Sequence, residues 1–286
     1  MIYILLPTFG RIEETKKFLK SINNSIRKNY LVLIIDDHPK KITLKNIQQN
    51  NQIKVFTSKK EIWWVGSINL GIQIVLNNYN LNKEDIVIFA NNDVEIDKSS
   101  FDILHNEIKK NNNQIIHPRT FDQKKIEVSS GSKILSFFPY VTRHPKNFAK
   151  NKVHIDMGTA RFLVMSGYVL KKVRYINKAL VQYGGDNDFT LSAKRFYKIR
   201  TYIIRDAVCE LDNSHTGLKN NNIQNSKELF KSFFSIKSPN NFKFRYRFFK
   251  KFFGHFFAFF ITINMTINTI IKFIIRKLLP SIRIIE

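Results

Sequence analysis

Five apolar residues run straight into two amides and a carboxylate at Ile86-Val87-Ile88-Phe89-Ala90-Asn91-Asn92-Asp93-Val94. A continuous apolar run rich in β-branched residues reads as a strand buried on both faces. Such strands belong to parallel sheets, which bind ligands at their carboxyl ends. A carboxylate leaving the core there, with amide oxygens beside it, suits a hard divalent cation carrying phosphates. A plain polar turn after a strand would use the same residues. Two further apolar runs end in polar groups. Ile2-Tyr3-Ile4-Leu5-Leu6 stops at Pro7-Thr8-Phe9-Gly10-Arg11, and Leu31-Val32-Leu33-Ile34-Ile35 stops at Asp36-Asp37-His38. Three polar strand ends in one chain are harder to assign to chance than any one of them.

Helices must alternate with these strands to bring their ends to one edge. From Arg11 to Ile26, apolar residues recur at Ile12, Phe18, Leu19 and Ile22, a helical spacing. Helical patterns also run from Ser67 to Leu76 and from Ser99 to Ile108. Strands alternating with helices predict an α/β protein with a doubly wound, mostly parallel sheet.

The motifs and their order resemble those of family 2 glycosyltransferases with the GT-A fold. Pro7-Thr8-Phe9-Gly10-Arg11 resembles that family's first nucleotide-binding loop, and Asp36-Asp37 its acidic pair after the second strand. Trp63-Trp64-Val65-Gly66-Ser67-Ile68-Asn69-Leu70-Gly71-Ile72 resembles the segment before the metal strand. Asn91-Asn92-Asp93 resembles the Asp-x-Asp metal motif, and Gly185-Asp186-Asn187-Asp188-Phe189, with Arg195 beyond it, the Glu-Asp catalytic segment. The likeness covers roughly residues 1 to 217. Two positions depart from it: Asn91 stands where the first metal-motif Asp would be, and Gly185 where the Glu would be. The resemblance implies transfer of a sugar from a nucleotide diphosphate sugar to an acceptor hydroxyl, with inversion at the anomeric carbon.

Each matching residue then has an expected role and a structural alternative. Thr8, Arg11, Asp36 and Asp37 would hold the donor nucleotide, a carboxylate there accepting from a pyrimidine N3–H or ribose hydroxyls. Thr8 could equally cap a helix, and Asp37 could form an Asx-turn before Pro39. Trp64 would line the donor pocket, Gly66 would allow close backbone approach, and Asn69, Asn91 and Asn92 would be donor-side amides. Either tryptophan could instead be core, and Asn69 an ordinary exposed residue. Asp93 would hold Mn²⁺ or Mg²⁺ against the diphosphate. His215 resembles a downstream histidine that completes the metal site and would favour Mn²⁺; a loop histidine is its alternative. Asp186, after Gly184-Gly185 at a helix start, would be the general base. Asp188 is a weaker acceptor-side candidate. Both carboxylates could simply be stabilised by the helix dipole.

Composition bounds the rest. The 286 residues suffice for one large α/β domain and an appendage. The single cysteine, Cys209, excludes an internal disulfide and fits a reducing cytoplasm. Met1 leads into the first strand without a basic flank or cleavage site, so no secretory signal is expected. The net charge of +25 favours anionic partners. Six basic residues and no acidic one lie from Lys237 to Lys251, interleaved with Phe242, Phe244, Phe248 and Phe249. No Lys, Arg, Asp or Glu then occurs until Lys272.

A composition break near Ser238-Pro239 predicts a glycosyltransferase domain over 1–238 and a helical, membrane-associating region over 239–286. The tail reads as an amphipathic helix on an anionic membrane surface. A single transmembrane helix is the alternative, since 252–271 reaches the roughly 20 residues required, although Asn264 and Asn268 oppose it. A helical hairpin with its Phe residues as core is a third possibility. Nucleic acid is not expected as a partner, because the apolar run is too long for a soluble groove. The reading is a cytoplasmic, peripheral inverting glycosyltransferase acting on a lipid-linked or growing surface saccharide. A nucleotidyltransferase of similar fold, or a catalytically decayed membrane-binding module, are the rivals.

Overall fold

The computed structural model of the protein describes residues 1–27, 29–128, 130–146, 149–212 and 223–278. The first third alternates as the apolar runs require. Strand β1 (Ile2–Thr8) leads to α1 (Ile12–Ser25), β2 (Tyr30–Asp36), α2 (Ile42–Asn46), β3 (Ile53–Thr57) and α3 (Trp63–Asn78). Then come β4 (Ile86–Ala90), β5 (Val94–Ile96) and α4 (Lys98–Lys110). Strands β6 (Gln114–Asp122), β7 (Glu127–Val128), β8 (Gly131–Phe137), β9 (Tyr140–Arg143), β10 (Lys152–Ile155), β11 (Met157–Gly158) and β12 (Phe162–Ser166) follow. Helices α5 (Gly167–Val173) and α6 (Gly185–Tyr197), strand β13 (Arg200–Leu211), and helices α7 (Ser226–Ser232) and α8 (Phe242–Leu278) complete the described chain.

The main sheet has the order β10-β13-β6-β12-β4-β1-β2-β3, with β5 joined to β13 and β7 to β6. Strands β3, β2, β1 and β4 are parallel. Strand β12 runs antiparallel between β4 and β6. Every residue of β2 and β4 is buried, so their sequences show no polar alternation. Helix α1 buries Thr15, Phe18, Ile22 and Ser25, a single stripe along one face. After β3 the chain returns to the other side of β1 to form β4. The ends of β1 and β4 therefore flank the point where the winding reverses, the usual place for a ligand crevice.

Helix α3 starts at Trp63, four residues before the helical pattern at Ser67. Its amino end is capped from a distance. The Asp37 carboxylate accepts from the Ile62 and Trp63 amides at 2.7 and 2.6 Å, satisfying two of the donors a helix start leaves unpaired. That cap lies on another strand's end, so the local sequence carries no sign of it.

The chain divides into two compact units. The first takes in Met1–Lys133, Arg143–Val181 and Gly185–His215, and holds the sheet. The second takes in Ile134–Thr142, Gln182–Gly184 and Thr216–Glu286. Within the second, α8 breaks at Gly254, whose φ of 76° and ψ of 177° are not helical and suit a residue without a Cβ. Arg245 donates to Thr269 Oγ1 at 3.4 Å. A continuous helix would hold these two residues about 36 Å apart, so the chain reverses at the break into a helical hairpin. Arg245 also donates to Asn240 Oδ1 at 2.7 Å and the Pro239 carbonyl at 3.2 Å. Burial lowers its pKa to about 10. Phe273 packs on a small cluster of Ile223, Leu229 and Phe233. Phe256, Phe257, Phe259 and Phe260 remain exposed, Phe256 at 69%.

Candidate functional site

Most of the polar residues at the strand ends are already committed to the fold. Thr8 is 4% exposed; its hydroxyl shares a hydrogen bond with that of Thr43 at 3.0 Å. Asp36 accepts from the His38 amide at 3.1 Å and the Leu44 amide at 3.0 Å, holding α2 against the end of β2. Asp37 adds the Ser58 hydroxyl, at 3.0 Å, to its two helix-capping amides. Asn92 donates to Thr15 Oγ1 at 3.0 Å and to the Arg11 carbonyl at 3.4 Å. It thus ties the loop after β4 to the loop after β1, which positions Arg11 beside the crevice.

Two sequence candidates turn fully inward. Asn69 donates from Nδ2 to the Ile176 carbonyl at 3.0 Å and accepts at Oδ1 from the Ile176 amide at 2.9 Å. Both ends of the amide are spent, so Asn69 brackets α3 to the segment before α6 instead of facing a donor. Asp188 is completely buried and accepts from the Asn177 amide at 2.9 Å, which removes it from the acceptor side. The room left by Gly66 is taken by the start of its own helix: a Cβ there would lie 2.6 Å from Ile62 Cβ. Arg195 lines a separate basic hollow of about 460 Å³ with Lys194, Lys198 and Arg200.

Asn91, Asp93 and Asp186 are different, and one segment ties them together. The Asn91 amide donates to the Arg161 carbonyl at 3.1 Å, and Phe162 pairs with Ala90 across β12 and β4. One residue earlier, the Ala160 amide donates to Asp186 Oδ2 at 3.4 Å. Asp186 Oδ1 also accepts from the Asn187 amide at 2.8 Å, a local bond expected of an acid in a helix's first turn. The Gly158-Thr159-Ala160-Arg161 loop therefore spans from the end of β4 to the start of α6. Sequence reasoning passed over it. A basic residue immediately ahead of the apolar run Phe162-Leu163-Val164-Met165 was the available signal.

Electrostatics follow that layout. Burial raises the pKa of Asp93, opposed by the positive charges of Arg11 and Arg161. Burial also raises Asp186, opposed by the Asn187 and Ala160 amides and by Arg161. Arg161 is thus the cation felt by both carboxylates. Behind them, burial lowers His117 to about 4 and raises Cys209 to about 11. Neither is charged near neutral pH.

Asp93 Oδ1 is buried with no hydrogen-bond partner. A buried carboxylate oxygen lacking a donor is costly, and a cation would relieve it. Among the described residues, no group of three or more His, Cys, Asp or Glu gathers to hold a metal. Asp212 is the nearest addition: its amide donates to the Asp93 carbonyl at 2.8 Å, and its charge raises the Asp93 pKa. So few protein ligands fit Mg²⁺ or Mn²⁺ that takes most of its coordination from substrate phosphates and water. His215 lies outside the described residues.

Residues 3–171 match the sequence model of the family described as Glycosyl transferase family 2. No curated protein sequence matches the chain. Among solved structures, GalNAc-T7 with UDP, GalNAc and Mn²⁺ is similar at a TM-score of 0.59 and 11% identity, over 86% of this chain and 50% of that one. TarS 1-349 from S. aureus is similar at 0.51 and 13%, over 74% of this chain and 60% of that one. The same TarS segment in complex with UDP gives 0.52 and 12%, with the same coverage. This chain spans half to three fifths of the length of these neighbours. At such identities the likeness concerns the fold, and it is the GT-A type that the motif order implied.

Proposed function

The chain belongs to glycosyl transferase family 2, and from that premise we propose that it moves a sugar from a UDP- or dTDP-linked donor to a saccharide hydroxyl, with inversion. One observation carries the reading. The loop at 158–161 links Asn91 to Asp186, and the charge of Arg161 reaches both Asp93 and Asp186. These links support reading Asp93 as the donor-side carboxylate and Asp186 as the acceptor-side one. That the solved neighbours carry UDP, and one also a sugar and Mn²⁺, agrees with it.

In this reading Asp186 accepts the proton of the acceptor hydroxyl as its oxygen bonds to the anomeric carbon. The bond from that carbon to the diphosphate breaks on the opposite face. A base helps only when ionised, so the raised pKa of Asp186 brings its proton affinity nearer to the working pH. Arg11 and Arg161 place positive charge beside the leaving diphosphate. A divalent cation at Asp93 would neutralise the charge that develops on it. Asp37 acts one step back, fixing the start of α3.

The tail reading rests on composition and exposure. The hairpin of α8 leaves Phe256, Phe257, Phe259 and Phe260 uncovered near a run of basic residues. Phe in an acyl boundary with Lys and Arg on headgroups is the pattern of an interfacial helix. By length and composition the helical stretch Phe242–Leu278 could also cross a membrane. The contact from Arg245 to Thr269 argues against one straight span through Phe242–Leu278, which would break it. The transfer chemistry then belongs to residues 1–238 and membrane association to 239–286, near a lipid-linked or surface saccharide acceptor.

The test is a thermal-shift and turnover screen of nucleotide diphosphate sugars with and without Mn²⁺. A donor that binds only the native state raises the melting temperature by mass action. Donor hydrolysis or transfer supports the assignment. No shift and no turnover with any uracil or thymine donor overturns it.

A further inference from the structure

Asn91 carries a side chain with two chemically opposite ends, and the fold has chosen between them. Trp64 Nε1 donates to Asn91 Oδ1 at 3.1 Å. An indole N–H is a donor only, so the carbonyl oxygen must be the end that faces Trp64. Among the described residues, no hydrogen bond engages Asn91 Nδ2. The amide therefore offers its N–H₂ group at the edge where Asp93 Oδ1 also waits unpartnered.

The indole itself is held from the other side. Gly185 is buried, and a Cβ on it would lie 2.6 Å from Val65 Cγ2 and 3.0 Å from Trp64 Cζ3. The first distance is shorter than real Cβ contacts and the second is at their tight limit. Helix α6 can start beside Asp186 only because position 185 has no side chain, and the space so left is filled by Trp64 and Val65. The Val65 amide is anchored to the Val181 carbonyl at 3.1 Å, which fixes this turn of α3 against the segment leading to α6. The two positions at which the chain departs from its family's motifs, Asn91 and Gly185, thus touch the same indole.

We propose that Trp64 is a positioning residue that orients Asn91 so that its Nδ2 donates to a phosphate oxygen of the bound nucleotide, making position 91 an anion contact and not a metal ligand. The proposal rests on the nucleotide-sugar reading of the site. It gives one physical account of both departures. A carboxylate at 91 would add a second negative charge two residues from Asp93 and would offer a phosphate oxygen no donor. A side chain at 185 would displace the ring that orients the amide.

The experiment is calorimetric titration of UDP at saturating Mn²⁺ on the full chain. Trp64→Phe keeps an aromatic ring and removes the N–H. It is expected to weaken UDP about fivefold, the worth of one hydrogen bond. Asn91→Ala should weaken UDP by at least as much. The double variant Trp64→Phe/Asn91→Ala should be no weaker than Asn91→Ala alone, since the ring acts through the amide. A ring that merely packs would add its own loss, and that additivity overturns the proposal. Asn91→Asp decides the role of position 91. A phosphate contact predicts weaker UDP binding, through repulsion and the lost donor; a metal ligand predicts tighter binding. Unchanged or tighter UDP binding by Asn91→Asp therefore overturns the proposal. Gly185→Ala gives an independent check, with a fall in UDP affinity that Asn91→Ala again absorbs. Circular dichroism confirms that each variant is folded, and a variant that unfolds is replaced in the cycle by Trp64→Tyr. Wild-type protein that binds neither UDP nor dTDP would instead fail the functional reading itself.

Discussion

The strand-end edge of the sheet and the α8 hairpin break the usual rule of polarity in opposite directions. At the edge, polar groups are buried: Thr8, Asp36, Asp37 and Asn92 are all under 9% exposed. In the hairpin, apolar groups are exposed, with Phe256, Phe257 and Leu278 all above half. The edge pairs most of its buried polar atoms with a named partner; among the described residues there, Asp93 Oδ1 and Thr159 Oγ1 have none, and only the first carries charge. The hairpin covers its half-buried Arg245 with three kinds of acceptor and leaves its phenylalanines bare. An unpartnered buried acceptor and an uncovered apolar face are both costs. In the proposed reading a cation with its phosphates relieves the first cost and a lipid surface the second.

The largest effect should come from removing the unpartnered carboxylate at the edge. Asp93→Ala is expected to lower transfer by roughly 10²–10³-fold, the scale of lost transition-state charge stabilisation, and to abolish the Mn²⁺ dependence of UDP binding. Unchanged turnover with metal still required would remove Asp93 from the site. Asp186→Asn should lower kcat by roughly 10²-fold or more while UDP affinity stays within about twofold. Its pH behaviour adds a sign. Because burial raises the folded pKa, the acid limb of the wild-type pH–rate profile should lie above the ordinary carboxylate range. By linkage, a raised folded pKa costs stability above the unfolded pKa, and the cost disappears as pH falls below it. Asp186→Asn should therefore melt higher than wild type at pH 7, and the gap should close toward pH 4. A variant that melts lower at pH 7 would mark Asp186 as a structural cap.

Smaller effects are expected in the hairpin. Phe256→Ser with Phe260→Ser should weaken binding to anionic vesicles about tenfold or more, given the apolar area involved. Co-sedimentation across a salt series measures it, and raising salt should weaken the wild type as well. Equal vesicle binding by wild type and variant would leave the exposed phenylalanines without a role. The smallest effect should follow Arg245→Met, which removes the hydrogen bonds closing the hairpin. Local opening near Gly254 should become roughly fivefold more frequent, as for the loss of about 1 kcal/mol. Limited proteolysis at residues around Gly254 reads this, and an unchanged cleavage rate would show that the clasp contributes nothing.

Much of this was legible in the sequence, because some physical signals are local. Buried parallel strands appear as unbroken apolar runs, so β1, β2 and β4 could be read from Ile2-Tyr3-Ile4, Leu31-Val32-Leu33 and Ile86-Val87-Ile88. The polar groups ending those runs showed where an edge would lie, and motif order identified the family. The basic, phenylalanine-rich tail announced itself by composition alone.

What only the tertiary structure decided is which polar atoms are spent and which are left. Hydrogen-bond partners are chosen across the fold, and nothing in local spacing encodes them. Asp37 meets Ile62 and Trp63 from another strand's end. Asn69 is consumed by Ile176, 107 residues away, and Asp188 by Asn177. Arg161 was invisible as a partner of Asp93 and Asp186 until β12 lay beside β4. The Arg245–Thr269 contact closes over a break that Gly254 permits and its neighbours do not advertise. Sequence fixes the inventory of donors and acceptors. The packing decides their pairing, because a buried polar group must find a partner wherever the fold brings one within 3 Å or so.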